Sequence, residues 1–109
     1  MRSMTVSDEG DSIVVVFLDR NISDELRIME IGDELTEIAS NMPAEQAFVL
    51  DFHKVEYCSS AMVGQLVLLR NATEKDGVEL KLRNVSTTIQ AILKTMRLDK
   101  VFRFESLDT

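Results

Sequence analysis

The chain has one cysteine, Cys58, and one histidine, His53. A single thiol excludes an internal disulfide, and the two residues together cannot supply any of the usual Cys/His zinc sets. Glycine occurs four times, at Gly10, Gly32, Gly64 and Gly77. Phosphate-cradling loops of the Walker or dinucleotide type need several glycines at fixed close spacing, so neither is present. No apolar run approaches the roughly 18 to 20 residues of a membrane-spanning helix. The first ten residues are polar and acidic, without the basic start and apolar stretch of a secretory signal. The expectation is a soluble cytoplasmic protein with no structural metal, no cofactor and no membrane insertion. Bases are also scarce, with 12 Lys and Arg against 19 Asp and Glu and a net charge of −7. Such a surface repels phosphate backbones, and nucleic acid is not expected as a direct partner.

The residues that are present suffice for one domain spanning 1–109. At 109 residues and 45% apolar content, the chain can build a single core without staples. Its charge is uneven. Residues 1–56 carry 13 acids and 4 bases, for −9, while residues 57–109 carry 6 acids and 8 bases, for +2. Solvated helix faces are the ordinary explanation, and a polarised contact surface is the other.

Ser12 to Leu18, S-I-V-V-V-F-L, is a short β-branched run suited to a strand buried on both faces. Met4 to Ser7 can pair with it as an edge strand across the Gly10-Asp11 turn. Ser23 can cap a following helix with Asp24 and Glu25 in its first turn. Leu26, Met29, Leu35 and Ile38, with Ile28 and Ile31 beside them, give that helix an apolar face as far as Ser40. Pro43 then stops it. Gln46 to Phe52 is a second apolar strand, and an apolar helix follows Ser59-Ser60 and leaves through Gly77 in a left-handed conformation. Val78 to Asn84 alternates, with Val78, Leu80 and Leu82 on one side and Glu79, Lys81 and Arg83 on the other. A last helix over about Thr87 to Met96 buries Ile89, Ile92 and Leu93, and Val101 to Phe104 closes as a strand. The order β-β-α-β-α-β-α-β implies an α/β fold with a mixed, largely parallel sheet of four to five strands and helices packed against it.

Few residues offer chemistry. Cys58 as a nucleophile needs a lowered pKa and a base, and a buried structural thiol is the commoner role. His53 falls in a connector expected to be exposed. Ser59 and Ser60 lack the G-x-S-x-G frame of a hydrolase elbow. They do precede an apolar helix, where free amides and the positive dipole end stabilise an anion, so that a phosphate on Ser60 needs no dedicated basic pocket. Simple capping is the other reading of the same serines. Met62 and Met96 fit either core filling or an adaptable contact surface.

Three segments together resemble the STAS family, the domain shared by sulphate transporters and bacterial anti-sigma factor antagonists. They are F-V-L-D-F-H-K-V-E-Y-C-S-S-A-M-V-G at Phe48 to Gly64, G-V-E-L-K-L-R-N-V-S at Gly77 to Ser86, and L-D-K-V-F-R-F at Leu98 to Phe104. The family's switch motif is Asp-Ser-Ser-Gly or Asp-Ser-Thr-Gly followed by Leu-Gly, and its first serine is phosphorylated by an anti-sigma factor kinase. Matching the final glycine to Gly64 places Ser59 at the aspartate, Ser60 at the phosphoacceptor, Ala61 at the second hydroxyl residue and Met62 at the first glycine. A one-residue shift would make Ser59 the acceptor but lose Gly64.

The resemblance implies a STAS-like fold and a regulatory binding module rather than an enzyme. Its expected partner is a protein, a kinase-type anti-sigma factor, whose capture releases the sigma factor. Phosphorylation of Ser60 would control that capture. The implied contact residues are Asp19, Ser23, Asp24, Cys58, Ser59, Ser60, Met62 and Val63, with Met62 adding bulk where the partner approaches. The competing implications are a scaffold or regulatory subunit of a stress-signalling or lipid-transport complex, and a weak nucleotide-binding domain.

Overall fold

The computed structural model describes residues 4–105. The chain forms β1 (Met4–Asp8), β2 (Ser12–Phe17), β3 (Asn21–Ile22), α1 (Glu25–Ser40), β4 (Ala47–Asp51), β5 (Tyr57–Cys58), α2 (Ser60–Lys75), β6 (Leu80–Arg83), α3 (Thr87–Thr95) and β7 (Arg103–Glu105). Five strands make the main sheet in the order β1-β2-β4-β6-β7, with β1 antiparallel and the others parallel. This is the mixed, largely parallel α/β sheet expected from the sequence. The two-residue strands β3 and β5 form a separate parallel pair that the sequence did not announce.

The β1–β2 hairpin turns where the Gly10-Asp11 signal lies. Gly10 has φ +91°, which a side chain would resist, and its amide donates to Asp8 Oδ1 at 3.0 Å. Strand alternation then divides the sheet. Val15, Phe17, Phe48, Leu50 and Leu82 are buried in one cluster with Ile28, Ile31, Leu35, Leu66, Leu69, Ile89 and Leu93 of the helices. Val14 and Val49 are buried outside that cluster, on the reverse face, so β2 is buried on both faces as its β-branched run implies. Phe17 and Phe52 meet in a tilted pair, ring centroids 5.0 Å apart and planes at 52°, at the end of this core.

Two expectations for α1 need correction. Asp24, not Ser23, is its N-cap and accepts from Arg27 N at 2.9 Å, whereas the Ser23 hydroxyl is drawn back to Asn21 Oδ1 at 2.8 Å. Leu26 and Met29 are not on the buried face. That face is Ile28, Ile31, Gly32, Leu35 and Ala39, because more apolar residues lie along α1 than one side of a helix can hold. Elsewhere the placements hold to within a residue or two. Gly77 leaves α2 at φ +75°, Ser86 caps α3 by accepting from Ile89 N at 3.1 Å, and Ile89 and Leu93 are buried with Ile92 partly so.

Candidate functional site

Strands β2, β4 and β6 are parallel, so their carboxyl ends, Phe17, Asp51 and Arg83, lie along one edge of the sheet. The loops leaving that edge lead to the N-termini of α1, α2 and α3, and open α/β sheets place their sites on this edge. The β3–β5 pair stitches two of these loops together. Glu56 N and Tyr57 N both donate to Arg20 O, and Ser59 N donates to Ile22 O at 3.0 Å. The third loop joins through Ser86 Oγ, which donates to Glu56 O at 3.1 Å. The segment 19–24 and the Cys58-Ser59-Ser60 corner, far apart in sequence, are thereby neighbours.

Ser59 is the N-cap of α2 in extended conformation, yet its side chain caps nothing. Its Oγ is buried and has no hydrogen-bond partner. Ser60 is the first helical residue and is exposed. Among the described residues, the backbone amides of Ser60 and Ala61 donate to no acceptor, while Met62 N and Val63 N reach Ser59 O at 3.1 and 3.2 Å. Two free amides beside an exposed hydroxyl, at the positive end of a 16-residue helix, favour an anion at Ser60. Ser59 is unsuitable as the acceptor because solvent does not reach its oxygen.

Three other expected contact residues also fall away. Cys58, Met62 and Val63 are each 0% exposed, and no partner can touch them without opening the core. Met62 therefore adds its bulk to the interior, not to the surface a partner approaches. Burial also pushes the Cys58 thiol up to about 11, which leaves it protonated and inert at neutral pH, in the structural role. Asp19, Ser23 and Asp24 do stand at the corner's edge, but the two acids are engaged: Asp19 accepts from Arg27 Nε and Nη2, each at 3.3 Å, and Asp24 caps α1. The exposed Arg20–Glu56 pair closes the same edge at 2.6 Å and contributes little to stability by itself.

Gly64 lies one turn after Ser60 on the exposed side of α2, and a Cβ added there meets nothing within 4 Å. The fold has no steric need for this glycine, which weakens a helix interior. Gly64→Ala is expected to stabilise the domain by about 0.5 to 1 kcal/mol, read as a higher urea midpoint with unchanged slope.

One cluster at this edge escaped the sequence reading. Asp51, 4% exposed, accepts from His53 N at 2.8 Å, His53 Nδ1 at 3.0 Å, Asn84 Nδ2 at 3.2 Å, and Arg83 Nε and Nη2 at 3.2 and 3.1 Å. Arg83 continues to Glu105 Oε1 at 3.3 Å. Burial alone would raise the Asp51 carboxyl, but the bonds from His53, Asn84 and Arg83 outweigh it and hold the group below the usual carboxylate range. Asn84 adopts φ +59°, a left-handed conformation that asparagine tolerates, and its amide points at Asp51. The signal available in the sequence was a carboxylate ending an apolar strand. Among the described residues, no group of three or more His, Cys, Asp or Glu side chains could hold a metal ion, and no helix is long and apolar enough to cross a membrane.

The chain belongs to the STAS domain family, matching the model of the MlaB STAS domain over residues 7–106. Solved structures agree on the fold. An anti-sigma-factor antagonist (STAS) domain protein from Planctomyces limnophilus superposes with a TM-score of 0.83 at 19% identity, covering 94% of this chain and 90% of that one. An anti-sigma factor antagonist from Mycobacterium paratuberculosis gives 0.79 at 20% identity, covering 96% and 86%. The Bacillus cell fate determinant SpoIIAA in its phosphorylated form gives 0.69 at 11% identity, covering 95% and 92%.

Proposed function

We propose that this STAS domain is an anti-sigma factor antagonist that docks on a kinase-type anti-sigma factor through the Ser60 corner, so releasing the sigma factor in the cytoplasm. The kinase brings ATP; the domain is ligand and substrate, and performs no catalysis. The observation that carries the reading is the exposed Ser60 hydroxyl beside two unpartnered amides at the start of α2. Such a position accepts a phosphate without rebuilding, and the phosphate adds roughly −1.5 to −2 charges at the contact. Support also comes from two neighbours of this fold described as antagonists and one described in a phosphorylated form.

Incubation with the kinase-type anti-sigma factor and ATP, followed by peptide mass mapping, is expected to place one phosphate on Ser60, and Ser60→Ala to abolish it. An unmodified Ser60 peptide under saturating kinase defeats the switch. A second reading is a scaffold or regulatory subunit of a stress-signalling or lipid-transport assembly. It is favoured by the match to the MlaB STAS domain model and by the Ser-Ser-Ala-Met corner, which lacks the family's aspartate. Under that reading the domain binds its partner with the same affinity whatever charge stands at position 60.

A further inference from the structure

Helix α1 turns Ile28, Ile31 and Leu35 inward and leaves Leu26 and Met29 on its outer side, 69% and 59% exposed. Leu68 of α2 is exposed to 63%. The two helices start from the same edge of the sheet and run side by side, and their level is set by Gly32, whose bare backbone lies against the Gln65 side-chain amide. One turn back from that contact stand Met29 on α1 and Ala61 on α2, and Leu26 lies a further turn back on α1. Leu68 is one turn ahead of Gln65. At helical spacing Met29, Ala61 and Leu68 stand beside the α1–α2 seam, with Leu26 on the outer face of α1 a turn before Met29, and Ser60 and Gly64 near them on α2. Single exposed apolar residues are ordinary, but a set gathered on one seam marks a contact surface.

The α1 side of this seam is acidic, while α2 carries only Glu74, paired with Arg70, beside the bases Arg70 and Lys75. Helix α1 carries Glu25, Glu30, Asp33, Glu34 and Glu37 against the single base Arg27, and of these acids only Glu30 is ion-paired among the described residues, with Arg27 at 3.5 Å. An apolar strip with an acidic bank on its α1 side repels a second copy of itself and an anionic membrane alike, and attracts the opposite pattern. We infer that the α1–α2 seam is a docking groove for a basic amphipathic helix of a protein partner, with apolar residues one turn apart entering between Leu26, Met29 and Leu68 and flanking Lys or Arg meeting Glu30 and Asp33. This inference rests on the reading of the domain as a binding module and extends its contact beyond Ser60.

Methyl NMR spectra of the full chain test the groove with a defined probe, an amphipathic Leu/Lys helical peptide of about 18 residues. Met29, Leu26 and Leu68 methyls are expected to shift with it, and not with the Leu/Glu peptide of the same pattern. Equal shifts with both peptides, or shifts centred elsewhere, overturn the groove. With the kinase-type anti-sigma factor as probe, the triple variant Leu26→Gln, Met29→Gln, Leu68→Gln is expected to bind about tenfold more weakly. Its thermal unfolding should be unchanged because all three side chains are exposed. If Ser60→Asp impairs that binding and the triple variant does not, the groove falls and the Ser60 reading stands. If the triple variant impairs it and Ser60→Asp does not, the switch falls and the groove stands.

Discussion

Replacing Asp51 by alanine is expected to destabilise the domain by about 3 kcal/mol, measured by urea unfolding at pH 7. Asp51 is the common acceptor for Arg83, Asn84 and His53 at the ends of β4 and β6. Removing it leaves a guanidinium only 17% exposed with a single carboxylate partner, Glu105, and strips the amides of Asn84 and His53 of their acceptor. Breaking a buried pair on one side costs roughly 3 to 5 kcal/mol, and the residual exposure of Arg83 puts this case at the lower end. Asp51→Asn keeps an acceptor oxygen in place and is expected to cost about half as much. The pH dependence has a definite sign. The carboxyl is lowered in the folded state from its ordinary 3.8, so its contribution is complete above that value and is lost as pH falls below it through the folded pKa. The gap in stability between the native chain and Asp51→Asn should therefore narrow on going from pH 7 to pH 3.

Ser60→Asp is expected to weaken binding to the kinase-type anti-sigma factor about a hundredfold, or ~3 kcal/mol, measured by calorimetry. The carboxylate stands where the phosphate would, and a charge desolvated at an interface without a partner opposes association. The same substitution should leave the fold intact or strengthen it by a few tenths of a kcal/mol, because an acid in the first turn of α2 suits the helix dipole. Opposite signs on binding and folding separate a switch from simple damage. Equal affinity for Ser60→Asp and the native chain would favour the scaffold reading instead.

The main sheet and three helices were legible because their signals are long: β-branched runs for β2 and β4, alternation for β6, and 3.6-residue spacing for the helices. The minor pair β3–β5 was not, since two residues carry no period. The cap of α1 was misplaced by one residue because Ser23 and Asp24 are equally good candidates, and only the position of Asn21 decides between them. At the corner, the helix start at Ser59-Ser60 was readable from two serines ahead of an apolar run. The burial of Cys58 and of Met62 was also open to the sequence, as a structural thiol and a core filler, whereas that of Val63 was not, because the side of α2 facing the core depends on the tilt at which β5 delivers the chain. Asp51 and Arg83 lie 32 residues apart, and only the strand register brings them side by side.

The β3–β5 pair rests on two residue pairs, against the five that join β2 to β4. So short a ladder supplies few bonds, and the corner is held instead by its two inward side chains, Ile22 and Cys58, which are both buried in the main core. Packing rather than pairing thus fixes where Ser60 stands, and the corner keeps its place even where the ladder frays.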